Sequence, residues 1–85
     1  MSEKLITSRV LSVLLNLAPT TMDSHLGRFS QYMVQKGGRY YYKYTYYFLR
    51  DLKRFYEKKM FNCNSINYEK FNNIITILDK LMNEI

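Results

Sequence analysis

The run RYYYKYTYYFLRDLKRFYEKKM, Arg39 to Met60, follows a Gly37-Gly38 pair and holds seven of the nine tyrosines in the chain. Whatever it becomes, one side must be covered and the other left to water. At 100° per residue, Tyr41, Tyr44, Phe48, Leu52 and Phe55 fall in one stripe at i, i+3 or i+4 spacing, with Tyr56 at its border. Aromatic propensity alone would also suit a strand over Tyr40 to Phe48. Three consecutive tyrosines break strict alternation, however, and FLRDLKRFYEKKM continues the stripe in good helix formers that end in lysines. The period therefore predicts a helix, C, over about 39–61.

The other side of that helix carries Arg39, Lys43, Arg50, Lys53, Arg54 and Glu57, together with Tyr42 and Tyr46. The chain has a formal net charge of +6, and its location matters more than its size. Lys36 to Lys59 holds eight basic and two acidic residues, while the remainder has five of each. The whole excess is thus local, as suits a phosphate backbone or an acidic protein surface. The candidate contacts are Lys36, Arg39, Tyr42, Lys43, Tyr46, Arg50, Lys53 and Arg54. Cations meet phosphates, and tyrosines hydrogen-bond phosphate oxygens or stack on bases. The same residues also suit a solvated helix face, and the tyrosines equally suit packing against another helix or chain.

Around helix C the sequence predicts three more helices. Ser2 can cap helix A, which runs to about Ala18, where Pro19 forces the preceding residue out of the α region. Its apolar arc, Leu5, Ile6, Val10, Leu11, Val13, Leu14, Leu15 and Leu17, is wider than one face. Helix B follows over about 21–36, burying Met22, Leu26, Phe29 and Met33, and Gly37-Gly38 closes it as a C′ signal. Helix D spans about 67–85, with Asn67 as N-cap and Ile66 and Phe71 as a hydrophobic staple. Its stripe is Phe71, Ile74, Ile75, Leu78, Leu81, Met82 and Ile85. The expected fold is a compact all-α domain of four helices over 1–85. Leu11, Leu15, Phe48, Leu52, Phe55, Phe71, Ile74, Ile75, Leu78 and Leu81 are expected in its core or at an interface.

At 85 residues and 47% hydrophobic content, the chain has more apolar material than a domain this small easily hides, so a homo- or hetero-oligomer is expected. Catalysis finds little support. His25 is the only histidine and has only Asp23 nearby; Cys63 stands alone in a loop beside asparagines. The acids are scattered, so no metal, cofactor or small-molecule substrate is expected. The lone cysteine fits a reducing compartment, and neither a secretory signal nor a membrane span is evident. An intracellular protein is expected, nuclear if eukaryotic or acting inside a host cell if viral.

From Asp23 to Ile85 the expected order of a short helix, a loop, a long central helix, a second loop and a third helix resembles the histone fold. The segment NSINYEKFNNIITIL carries most of the likeness. Ser65-Ile66-Asn67 looks like the strand and cap of the second loop, and Phe71, Ile74, Ile75 and Leu78 look like the inward face of the third helix. Within that class, the small basic kinetochore subunits of the centromere protein W type are the nearest comparison. The resemblance implies an obligate partner chain of the same fold and DNA contact through Arg28, Lys36, Arg39, Lys43 and Lys70. Helix C is shorter than in that pattern, helix D longer, and helix A additional.

The sequence thus predicts a basic, non-enzymatic helical subunit that oligomerises and contacts nucleic acid mainly through phosphates, with no DNA-reading motif. A protein-interaction factor docking on an acidic surface and a purely structural subunit stand beside it as rivals.

Overall fold

A computed structural model describes residues 4–85. Ser2, the expected cap of helix A, lies outside them. The chain forms two compact units, one ending at Tyr44 and one spanning Thr45–Ile85. Most described residues are helical, but a three-stranded antiparallel sheet corrects the all-α expectation.

In the first unit, strand β1 (Leu5–Ile6) leads into helix α1 (Ser8–Leu14), where helix A was expected to run unbroken. Thr7 caps α1, its hydroxyl accepting from the Val10 amide at 3.2 Å. The helix stops well before Pro19. Leu17 N–H donates to Ser12 C=O at 2.8 Å and Asn16 N–H to Val13 C=O at 3.2 Å, with Asn16 at φ 56°. This pair of bonds, with a left-handed residue at C′, is a Schellman motif using asparagine in place of glycine.

Pro19 instead begins helix α2 (Pro19–Leu26) at a position where no N–H is needed, and Ala18 before it is extended at φ −65°, ψ 142°. Leu11, Leu15, Leu17, Met22 and Leu26 are buried, and α1 and α2 pack together. The expected helix B ends ten residues early, at Leu26. Ser30–Tyr32 forms a 3-10 turn, and the chain then becomes strands β2 (Met33–Lys36) and β3 (Arg39–Lys43).

The tyrosine run is therefore a strand at its start, not the first two turns of helix C. Gly37 and Gly38 do not end a helix. At φ 57° and 76° they form the two-residue turn of a hairpin, with Lys36 opposite Arg39. Three tyrosines in a row do not forbid a strand, because a ring with a polar tip is tolerated on either face of a sheet. The sheet order is β1-β3-β2. This hairpin lies where the histone-fold resemblance needs a loop and the start of a central helix.

The second unit is a pair of helices, α3 (Tyr46–Phe61) and α4 (Ser65–Glu84). Thr45 caps α3 through Phe48 N–H at 3.3 Å, and Asn64 caps α4 through Asn67 N–H at 3.1 Å. The cap of α4 is thus Asn64 rather than Asn67, so Ile66 and Phe71 do not occupy staple positions; Ile66 is 82% exposed. Phe48, Leu49, Leu52, Tyr56 and Met60 of α3 and Ile74, Ile75 and Leu78 of α4 are buried, while Phe55, Phe71 and Leu81 are half-buried. Tyr56 stacks on Phe71 with ring centroids 6.1 Å apart, and burial pushes its phenol well above the usual range. No described helix is long and apolar enough to cross a membrane.

Candidate nucleic-acid interface

The eight polar residues singled out on helix C fall into the two units, four in each. Lys36, Arg39, Tyr42 and Lys43 belong to the β2–β3 hairpin, and Tyr46, Arg50, Lys53 and Arg54 to α3. They do not share one helix face.

On α3, much of the charge is already engaged. Lys53 Nζ lies 2.6 Å from Asp79 Oδ1, and that hydrogen bond raises its pKa. Arg50 Nε sits 3.6 Å from Asp51 Oδ1, while its guanidinium lies 5.1 Å from the centre of the Tyr47 ring. Of these four, Arg54 and Tyr46 are the exposed ones. Residues 45–85 carry seven basic and five acidic side chains, so this unit is only mildly basic.

The first unit is different. Residues 4–44 hold six cations, Lys4, Arg9, Arg28, Lys36, Arg39 and Lys43, and a single acid, Asp23. Strand alternation puts Arg39, Tyr41 and Lys43 on one face of β3 and Tyr40 and Tyr42 on the other. Tyr42 shares its face with Ile6, its partner in register, which is buried. Burial and then the charge of Asp23 raise the Tyr42 phenol, so this is the face turned toward α2. At the exposed tip, Lys36 and Arg39 stand directly opposite, an arrangement in which like charges repel. Such a pair costs stability in the free chain and favours an anion between or beside the two groups.

Sequence reasoning missed a second feature, the outward side of α2. Met22 and Leu26 turn inward, which leaves Thr20, Asp23, Ser24 and Gly27 on the exposed side at i, i+3, i+4 and i+7, with Arg28 just beyond. Gly27 has ordinary helical φ, −56°, and a Cβ placed there would meet only Ser24 C=O at 3.4 Å. Neither backbone geometry nor packing inside the chain requires a glycine. Its effect is to leave this side of the helix low enough for close approach.

The sequence contained the signals for both features. Asn16 and Pro19 between apolar runs mark the α1–α2 turn, and Gly-Gly between β-formers is a hairpin signature. A helix, a four-residue turn and a second helix are followed here by an antiparallel hairpin. His25 and Cys63 are half-buried, and the Cys63 thiol donates to Met60 C=O at 3.1 Å. Among the described residues, no three of His, Cys, Asp and Glu are grouped as a metal ion requires. No protein-family model, curated protein or solved structure matches the chain.

Proposed function

We propose that the chain is a non-enzymatic duplex-DNA-binding protein whose first unit works as a helix-turn-helix with a hairpin wing. The observation that carries this reading is the succession α1, turn at Asn16, α2 and basic hairpin within one unit. In helix-turn-helix proteins the second helix enters the major groove, which is wide enough for it, and here that helix is α2 with its low polar side. Lys36 and Arg39 at the wing tip take the flanking phosphates, with Lys43 behind them on the same face. The tyrosine-rich stretch keeps its expected part in binding, but as a strand of the wing. Base reading by α2 is added to the phosphate contacts that the sequence alone suggested.

Association with a second chain belongs to the same reading. Val10 and Val13 of α1, and Phe61 and Ile66 at the α3–α4 turn, are 51%, 75%, 73% and 82% exposed, which is unusual apolar surface for a lone small chain. Paired helix-turn-helix units read two half-sites about one helical turn apart.

The test is binding to random-sequence duplex DNA between about 50 and 200 mM salt, where each neutralised phosphate contributes about −0.9 to the slope of log K against log salt. A slope of several units is expected. Weak binding that ignores salt would overturn the reading and leave docking on an acidic protein surface in its place.

A further inference from the structure

We infer that the outer edge of β2 is a strand-addition site for an extended peptide that alternates acidic and apolar residues. The site lies within the first unit and does not depend on that unit's binding a duplex.

The register determines which backbone groups are free. In a two-residue hairpin the residues flanking the turn exchange both of their hydrogen bonds, so Lys36 bonds to Arg39 and, two places back, Val34 bonds to Tyr41. Gln35 and Met33 then turn their N–H and C=O groups away from β3. The far side of β3 agrees in phase. Tyr44 N–H donates to Lys4 C=O at 2.9 Å, so Tyr42 faces β1 while Tyr41 and Arg39 face β2. β2 ends the sheet, and both Met33 and Gln35 are exposed. Ser30 C=O takes the Met33 N–H, but among the described residues no hydrogen bond reaches Gln35 N–H, Gln35 C=O or Met33 C=O.

The side chains make this edge selective. Alternation sets Val34 and Lys36 on the face of Arg39, Tyr41 and Lys43, and Met33 and Gln35 on the face of Tyr40 and Tyr42. One face beside the edge is thus basic, and the other is largely apolar, with Met33 and Tyr40 exposed. A strand laid along β2 continues both faces. Every second residue meets the cations and the residues between meet apolar groups, which is what acidic and apolar residues in alternation satisfy.

A lysine on a short edge strand also guards against edge-to-edge pairing. Here that guard discriminates. A second copy would bring its own Lys36 and Arg39 to the same edge, in a chain of net charge +6, whereas an acidic strand is drawn by the charges that repel the copy. Main-chain bonds then supply affinity and the alternating faces select the partner. Lys36 is shared with the proposed duplex contact, and Gln35 is not.

The experiment titrates the full chain, Gln35→Pro and Lys36→Glu with a fluorescent peptide of alternating glutamate and valine and with its lysine-for-glutamate counterpart, reading anisotropy and amide exchange. Proline is tolerated on an edge strand where the N–H faces outward, so Gln35→Pro removes the edge donor and leaves the hairpin's own bonds in place. The glutamate peptide should bind wild type about tenfold more tightly than the lysine peptide and should protect the Gln35 amide, leaving Val34 as it was. Gln35→Pro should lose about tenfold in peptide affinity while keeping the salt slope for random duplex DNA, and Lys36→Glu should reverse the peptide preference. Undiminished peptide binding by Gln35→Pro, or binding without protection at Gln35, would reduce the contact to charge alone and overturn strand addition. Failure of both peptides would overturn it too, as would self-association of wild type that Gln35→Pro abolishes, which gives the edge to a second copy. If Gln35→Pro is unfolded by circular dichroism, protection at Gln35 in wild type and the preference of Lys36→Glu decide the matter. Absence of salt-sensitive duplex binding by wild type removes the function proposed above and leaves the strand site standing.

Discussion

Replacing Asn16 by valine should open the turn between α1 and α2, whereas replacing it by glycine should not. Asn16 is exposed and holds φ 56°, so a substitution there removes no packing and the effect is almost entirely that of the backbone. Glycine takes this conformation without strain but loses more entropy on folding, and the two effects leave Asn16→Gly within about 1 kcal/mol of wild type. Valine, branched at Cβ, should cost about 1–3 kcal/mol. In a chain of this size, each lost kcal/mol lowers Tm by about 4–8 °C. The assay is thermal unfolding by circular dichroism, combined with amide exchange at Leu17, whose N–H reaches Ser12 C=O at 2.8 Å only while Asn16 is left-handed. Protection at Leu17 should fall about tenfold for each ~1.4 kcal/mol lost. Equal Tm values for the glycine and valine variants, with Leu17 protection intact, would refute the Schellman turn and the helix-turn-helix built on it.

Other outcomes follow from the same geometry. Lys36→Ala with Arg39→Ala should reduce the salt slope of duplex binding by about 2, whereas Arg50→Ala with Lys53→Ala should change it by less than about 1; the reverse order would return the contact to α3. Leu11→Ala, at a site with no exposure, should cost about 2–5 kcal/mol in urea unfolding, and a loss below about 1 would show that α1 is peripheral. Phe71→Ala, half-buried against Tyr56, should cost about 1–3 kcal/mol; a larger loss would indicate the staple role that its position in α4 denies it. Because burial raises the Tyr56 phenol, the protonated form is favoured in the fold. Its contribution is complete below the ordinary value of 10.0 and is lost as pH rises above it. Tyr56→Phe should therefore flatten the loss of stability between about pH 10 and 11, and an unchanged alkaline profile would show the phenol to be solvated.

How far the fold could be read from the sequence depended on how local the deciding interactions were. Helices α3 and α4 were legible because their stripes of Phe48, Leu52, Ile74, Ile75 and Leu78 recur over four or more turns. The end of α1 was not, because Pro19 offered an obvious stop and hid the nearer one at Asn16, where an asparagine does what glycine usually does. The hairpin was lost to a similar ambiguity. Gly37-Gly38 serves a helix end and a two-residue turn equally well, and tyrosine gives no clean alternation because either face of a strand accepts it. The basic residues themselves were legible, since charge is visible in one dimension. Their division between a wing and a helix was not, because that depends on register. The outward side of α2 escaped notice for another reason: threonine, aspartate, serine and glycine also read as loop and cap residues, even though Met22 and Leu26 were expected to be buried, as they are.

The opposed Lys36 and Arg39 also give salt a part in the stability of the free hairpin. Screening weakens a repulsion between exposed groups, so moderate salt should firm the free hairpin, while under the proposed function it would weaken the phosphate contacts. A preparation kept in concentrated salt would hold its hairpin well and, on the proposed function, a duplex badly. Dilution would restore the repulsion and leave the hairpin tip more restless.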